Sequence, residues 1–123
     1  MELRDTQPFV YIATPYSKYA EGIEAAWRDA SIASARLIER GVRVYCPIAH
    51  THPIAVHGGI DPYAHTIWLP VDKPFMDLAG AIVVVMMPGW QESYGIKHEI
   101  DVFMAAEKPV FYLSWPDLEV VDA

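Results

Sequence analysis

Residues 81–100 have the sequence AIVVVMMPGWQESYGIKHEI, and this stretch decides the fold. Its first part, Ala81 to Met87, is an unbroken apolar run with a β-branched centre, which predicts a strand buried on both faces. Pro88 and Gly89 end that strand. Apolar residues then recur at helical spacing from Ile96 to Ala106, which predicts a helix. The unit is a strand, a glycine-containing loop and a helix, and open α/β sheets bind ligands at such loops.

Two residues after this strand indicate chemistry. Ser93 stands at the position of an N-cap, beside free backbone N–H groups that form a natural anion site. Glu99 shares one helical face with Gly95 and Phe103, so its carboxylate is predicted to face inward. A serine at a helix start is usually only a cap, and the helix dipole alone favours an acid near the N-terminus. A carboxylate on an apolar face is nevertheless costly when unpaired, so it implies a partner, a cavity or a substrate.

Composition bounds the class of protein. The 123 residues predict a single domain, 1–123, and the hydrophobic content of 53% argues against disorder. The formal net charge of −7 disfavours a nucleic acid polymer as partner, although it does not exclude a single nucleotide.

No apolar run reaches the roughly 18 residues that span a bilayer, so no membrane partner is expected. Met1 to Pro8 lacks a signal-peptide pattern, which predicts a cytoplasmic location. Cys46 is the only cysteine, which excludes an intramolecular disulfide, and it is predicted to be a small buried hydrophobe.

Strands and helices alternate along the chain. The apolar run Phe9–Ala13 predicts a first strand, and helical spacing over Glu21–Arg40, closed by Gly41, predicts a long helix. Val42–Cys46 predicts the second strand, which makes a βαβ unit with a parallel sheet and a right-handed crossover. The last strand is predicted at Val110–Leu113.

The middle of the chain has weaker periodicity. Residues 48–67 are predicted as a loop with a short helical turn that crosses the mouth of the site, since long loops in compact domains are usually functional or mobile. A helix is predicted over Tyr63–Ala79, broken by Pro70 and Pro74. The predicted fold is therefore α/β, a three-layer sandwich of Rossmann-like or flavodoxin-like type. Its sheet is mostly parallel, with strand order 2-1-3-4 and one possible extra edge element.

The histidine-rich segment admits two interpretations. His50, His52 and His57 could supply imidazoles to a metal ion, with Asp61 as a carboxylate ligand. Irregular spacing within one segment and the lack of a helical HExxH motif argue against that, so no metal is expected. His50 is interpreted instead as a substrate-contacting or packed residue.

Three motifs carry a resemblance to a known family. They are YIATP at residues 11–15, Asp72 ahead of the central strand, and Ser93-x-Gly95-x-x-x-Glu99 after it. Together they resemble the nucleoside 2-deoxyribosyltransferase superfamily, which includes nucleotide N-glycoside hydrolases. The resemblance covers residues 9–113 with matching element order. The run IAHTHPI at 48–54 and the turn at 88–90 are similar to a phage and bacterial branch of unknown function within it.

The resemblance implies three catalytic residues. Glu99 matches the glutamate that attacks the anomeric carbon of the sugar or stabilises its cation. Asp72 matches the aspartate that exchanges a proton with the leaving base, and Tyr11 matches the tyrosine that orients the nucleophile. A carboxylate below the sugar and an acid near the base are the minimum that cleavage of an N-glycosidic bond requires.

The resemblance also implies a set of substrate-binding residues. Ser93 matches a serine that holds the 5′-phosphate in the monophosphate hydrolases, where transferases of free nucleosides tend to carry an aspartate, and this difference favours a nucleotide. Trp90 could stack on a flat ring, although a large aromatic residue is as often part of a core or an interface. The predicted substrate-binding residues are Thr14, Ser93, Gly95, His50 and Trp90.

The implied function is cleavage or transfer at the N-glycosidic bond of a small-molecule nucleotide or nucleoside. No cofactor is required, and a homo-oligomer is expected because relatives often complete the site with a neighbouring subunit. Gly80 departs from the aspartate that relatives often carry there, and it is interpreted as structural. Two other classes stay open: a module that binds or senses a nucleotide without cleaving it, and an interaction protein with Trp90 and Trp115 at its partner surface.

Overall fold

A computed structural model of the chain describes residues 2–121. These residues fold around one five-stranded sheet. Met1, Asp122 and Ala123, which the predicted domain 1–123 includes, lie outside the described residues. The strand order is β2-β1-β3-β4-β5, with the first four strands parallel and β5 antiparallel to β4. The strands are Val10–Ala13 (β1), Val44–Tyr45 (β2), Ala81–Val85 (β3), Val110–Leu113 (β4) and Val120–Val121 (β5).

Four helices connect and cover these strands. They are Ile23–Glu39 (α1), Pro47–Gly58 (α2), His65–Leu78 (α3) and Tyr94–Ala105 (α4), with short 3-10 turns at Leu3–Asp5 and Trp90–Glu92. Across residues 2–121, none of the helices combines the length and apolarity needed to pass through a bilayer.

The central strands are buried on both faces. Val10 and Ile12 of β1 pack with α1 and the start of α2, while Tyr11 and Ala13 pack with α3 and α4 on the opposite face. The residues of β3 alternate in the same way, and all five are fully buried. The result is helices, sheet and helices in three layers, so the predicted fold is confirmed. The predicted order 2-1-3-4 is confirmed as well, and β5 is the extra edge element.

Segment 48–67 differs most from its prediction. Its sequence predicts a loop with a short helical turn, but residues 47–58 form the 12-residue helix α2. Pro47 occupies its first position, where the missing N–H costs nothing, and Gly59 ends it with a left-handed φ of 68°. Pro53 lies inside the helix and lacks the N–H that would bond one turn back.

Helix α3 is the second correction. It was predicted as broken, but it is continuous from His65 to Leu78 with Pro70 and Pro74 inside it. Packing holds its last turns: Met76 is buried, and the ring of Phe75 stacks on that of Tyr45 with centroids 4.0 Å apart.

Other boundaries differ from prediction by a few residues. β4 has the predicted bounds, whereas β2 is shorter than the predicted Val42–Cys46. Cys46 is buried, as predicted, and burial raises the pKa of its thiol.

Gly80 lies against the backbone of the N-terminal segment. Its N–H donates to the Phe9 carbonyl at 2.9 Å. A Cβ at this position would lie 2.1 Å from the Gln7 carbonyl oxygen and 3.0 Å from Thr6 Cγ2. There is consequently no room for an aspartate at this position, and the role of Gly80 is structural.

We expect Gly80→Ala to destabilise the protein by about 2 kcal/mol or more, because the added methyl group would clash with the Gln7 carbonyl and force the backbone apart. The urea midpoint of unfolding measures this. Gly58→Ala is the matched control, since a Cβ there would be 3.9 Å from its nearest neighbours and alanine favours a helix. Equal midpoints for the two variants would contradict the steric explanation.

Candidate active site

A cavity of about 120 Å³ lies beyond the carboxyl ends of β1 and β3. These adjacent parallel strands continue in opposite directions, β1 through α1 to β2 and β3 through α4 to β4. Such a divergence point is where open α/β sheets bind ligands. The loop after β1 and the helices α2, α3 and α4 contribute side chains to the cavity wall.

Glu99 and Tyr11 form the polar base of the site. Glu99 lies in α4 and lines the cavity, while Tyr11 is fully buried in β1 and donates its phenolic proton to Glu99 Oε2 at 2.5 Å. Burial raises the pKa of Glu99 to about 8; the Tyr11 hydrogen bond opposes this shift and the charge of Asp72 adds to it. Burial and the charge of Glu99 raise the pKa of Tyr11, so this hydroxyl remains a donor.

Asp72 and Thr14 bring two unpaired oxygens to the same cavity. Asp72 lies in α3, and burial raises the pKa of its carboxyl to about 6. Among the described residues, neither Asp72 Oδ1 nor Thr14 Oγ1 has a hydrogen-bond partner, although both atoms are buried. Leaving such an atom unpaired costs roughly 1–3 kcal/mol, so these two atoms are suited to bind a ligand.

Ser93 and Gly95 lie where α4 begins. Ser93 Oγ accepts the Ile96 N–H at 3.2 Å, which confirms the predicted N-cap, and both residues line the cavity. Over residues 2–121 the cavity wall contains Asp72 and Glu99 but no lysine or arginine. A phosphate at this helix start would therefore meet two carboxyl groups and no fixed cation.

Two residues predicted to bind substrate lie elsewhere. His50 is exposed on α2, with Nδ1 3.0 Å from the Tyr45 hydroxyl, because two helical residues turn it away from the side that His52 occupies. Trp90 is half-buried and packs against the ring of Tyr112 and the core below it. Neither His50 nor Trp90 lines this cavity, and their contact with a ligand stays a prediction. Trp115, assigned to a partner surface in one interpretation, also packs against the core.

The cavity contains a second polar group that was not predicted from the sequence. His52 is 2% exposed, and its Nε2 lies 3.0 Å from Glu24 Oε1 while its Nδ1 lies 2.6 Å from the Tyr16 hydroxyl. Tyr16 and His52 both line the cavity. The signal was present in the sequence, since Ile48, Thr51, His52 and Ala55 have the i, i+3, i+4, i+7 spacing of one helical face.

A metal site would need several ligands close together. In the part of the chain that the structure describes, no three histidine, cysteine, aspartate or glutamate side chains lie close enough to hold one ion. The three histidines considered as ligands are instead distributed around α2, where His52 is bound to Glu24 and Tyr16.

Comparison with known proteins gives a family. A search of the curated proteins finds no match to the chain. A family model described as a domain of unknown function (DUF1937) matches residues 8–115, which include all of the cavity residues discussed above. The chain belongs to the DUF1937 family.

Proposed function

We propose that the protein cleaves or transfers at the N-glycosidic bond of a nucleoside or nucleotide, with Glu99 as nucleophile or cation stabiliser and Asp72 as proton donor to the base. One observation carries the proposal. Two carboxyl groups with raised pKa line one cavity at the divergence point of the sheet, and a buried tyrosine holds one of them. The resemblance of YIATP, Asp72 and SxGxxxE to the deoxyribosyltransferase superfamily supports it as well.

The geometry suits the two halves of this reaction. Tyr11 donates to Oε2 of Glu99 and thereby orients the carboxylate, so Oε1 is the oxygen that would approach an anomeric carbon. As the C–N bond breaks, its electron pair goes to the base and a proton from Asp72 neutralises it. Glu99 bonds to the sugar carbon or stabilises its positive charge. Water or a second base then takes the sugar and returns a proton to Asp72.

The two carboxyl groups share one proton near neutral pH. Asp72 has a pKa of about 6 and Glu99 of about 8, so between these pH values the pair holds one proton, which lies mainly on Glu99 in the unliganded protein. The reaction needs the same pair with the proton on Asp72 and the charge on Glu99, an arrangement that positive charge on the sugar carbon favours. The Tyr11 hydrogen bond favours the charge on Glu99, because it stabilises the ionised form.

We expect kcat/KM for base release to follow a bell-shaped pH profile with its maximum between about 6 and 8. Below that range both groups are protonated and no nucleophile remains. Above it both are ionised and no acid remains. Initial rates over pH 4–10 with the substrate well below KM test this, and a profile flat through that range would contradict the shared proton.

The direct test of the function is incubation of the pure protein with nucleosides and their 5′-monophosphates, followed by chromatography for released base. Glu99→Gln, purified in the same way, controls for contaminating hydrolases. Base release by the parent protein alone supports the proposal. Tight binding of a nucleoside without release would replace it with the module that binds or senses its ligand.

The charge of the cavity wall favours the nucleoside over the monophosphate. Asp72 and Glu99 repel a phosphate, and no lysine or arginine of residues 2–121 lines the cavity to offset them. The same panel compares each nucleoside with its monophosphate. Assembly into a homo-oligomer stays a prediction, which light scattering at micromolar concentration tests.

A further inference from the structure

The contacts of His52 favour one tautomer of its ring. A carboxylate oxygen only accepts hydrogen bonds, so a hydrogen on Nε2 satisfies the 3.0 Å contact with Glu24 Oε1. In the neutral ring Nδ1 is then an acceptor. Its partner at 2.6 Å, the Tyr16 hydroxyl, must donate. The proton of Tyr16 is therefore used within the protein.

Packing holds this arrangement in place. The side chain of His52 is 1% exposed, and the indole of Trp27 covers its ring at a centroid distance of 5.1 Å. Burial, Tyr63 and Glu24 raise the pKa of Tyr16 to about 12, so the phenol is neutral at physiological pH. Its oxygen keeps lone pairs but has no second proton to donate.

We propose that Tyr16, oriented by His52 and Glu24, is a binding site for a sugar hydroxyl of the ligand and acts there only as a hydrogen-bond acceptor. This inference rests on the proposed function for the nature of the ligand. Tyr16 and His52 line the same cavity as Asp72 and Glu99, but they belong to the loop after β1 and to α2. They therefore contact a bound molecule from a different side of the cavity wall than α4 does.

An acceptor-only oxygen discriminates between ligand groups. A hydroxyl can donate to it, whereas a hydrogen atom in a deoxy analogue cannot, and a phosphate ester oxygen is repelled. The donor could instead be an amine of the base. A sugar hydroxyl is favoured because Thr14 Oγ1, unpaired in residues 2–121 and two residues before Tyr16, offers a second polar contact of the kind that a sugar uses.

The test is a thermodynamic cycle on binding. Calorimetry in a Glu99→Gln background, which prevents turnover, compares adenosine, guanosine, cytidine and uridine with their 2′-, 3′- and 5′-deoxy analogues. Tyr16→Phe should weaken binding of the parent nucleoside about two- to tenfold. It should leave unchanged the binding of the analogue that lacks the hydroxyl that donates to Tyr16. Inosine compared with adenosine and guanosine reports whether a base amine is the donor.

Tyr19→Phe is the matched control. Tyr19 lies in the same loop and also has a partner for its phenolic proton, Asp29 Oδ2 at 2.5 Å, but it does not line the cavity. It should weaken all analogues equally or not at all. Three results would overturn the inference. Tyr16→Phe could weaken the binding of every analogue equally, or its effect could depend on the base amine instead of a sugar hydroxyl. The third result is that no nucleoside binds.

A second variant keeps the inference testable if the Tyr16→Phe protein does not fold. Glu24→Gln supplies an amide that can donate to Nε2, which permits the proton to move to Nδ1 and turns Tyr16 into a donor as well. The hydroxyl preference should then decrease, with Glu21→Gln, an exposed partner of Arg28, as control. Nitrogen-15 spectra of the unliganded protein should show the His52 proton on Nε2, and a neutral ring protonated on Nδ1 would also refute the assignment.

The two proposals can fail separately. Nucleosides that bind with the Tyr16 coupling, yet are never cleaved by the parent protein, support this inference and refute the enzyme. Cleavage that depends on Glu99 without any Tyr16 coupling supports the enzyme and refutes this inference.

Discussion

Glu99→Gln is expected to reduce base release by several orders of magnitude while leaving the protein as stable as the parent, or more stable, at pH 8. Activity falls because nucleophile and charge stabilisation are lost together. Stability does not fall, because glutamine is close to isosteric and its side-chain oxygen can still accept the Tyr11 proton. Turnover by chromatography and the urea midpoint on the same preparations measure the two quantities.

The pH dependence of that stability difference follows from the raised pKa. Between the unfolded value near 4.5 and the folded value near 8, the folded protein binds a proton that the unfolded chain has lost. Stability of the parent therefore falls as pH rises through this window, by an amount on the order of a few kcal/mol. Glutamine does not ionise, so the variant should match the parent at pH 5 and exceed it at pH 8.

Glu92→Gln is the matched control, since Glu92 is exposed in the turn before α4. It should leave both turnover and the pH dependence of stability unchanged. Near-normal base release by pure Glu99→Gln would be fatal to the mechanism. A loss of stability at pH 8 would show instead that Glu99 is a structural acid.

Asp72→Asn is expected to slow base release by about 10²- to 10⁴-fold, the usual contribution of a positioned general acid. The loss should depend on the leaving group. The base of a 7-methylpurine nucleoside is already cationic and leaves without protonation. The rate of base release from it should therefore fall far less than the rate from the unmethylated form. The alkaline limb of the pH profile should also disappear, because it reports loss of the proton that Asp72 supplies.

Asp77→Asn on the same helix is the control, because Asp77 forms an exposed ion pair with Lys73 at 2.7 Å. It should change the rate of base release from neither the methylated nor the unmethylated substrate. Equal losses on the methylated and unmethylated substrates with Asp72→Asn would assign Asp72 to positioning of the sugar and remove it as the acid.

The sheet was predictable because its signal is local. The run at 81–87 is apolar at every position, which is typical of a strand buried on both faces, and β3 is such a strand. Ser93 was predictable as a cap for the same reason, since the cap depends on residues three apart. The approach of Tyr11 to Glu99 joins residues 88 apart in sequence, and only the family resemblance implied it.

Helix α2 was mispredicted because its apolar periodicity is weak. Pro47 and Gly59 are in fact typical of helix ends, and the spacing of Ile48, His52 and Ala55 is helical. Once the helix is recognised, His52 and His50 must face different sides. The contacts of His52 with Tyr16 and Glu24 remain unpredictable, because they depend on how α1 and α2 pack together.

The two prolines of α3 affect how the proposed acid is held. Asp72 lies between Pro70 and Pro74, each of which lacks the N–H that would bond one turn back, so this stretch of helix has little backbone support of its own. Phe75, three residues after Asp72, stacks on Tyr45 of the two-residue strand β2, and this contact supports the helix from outside. A substitution at Tyr45, at the edge of the sheet and outside the cavity lining, is therefore expected to disturb the proposed acid through the packing of Phe75.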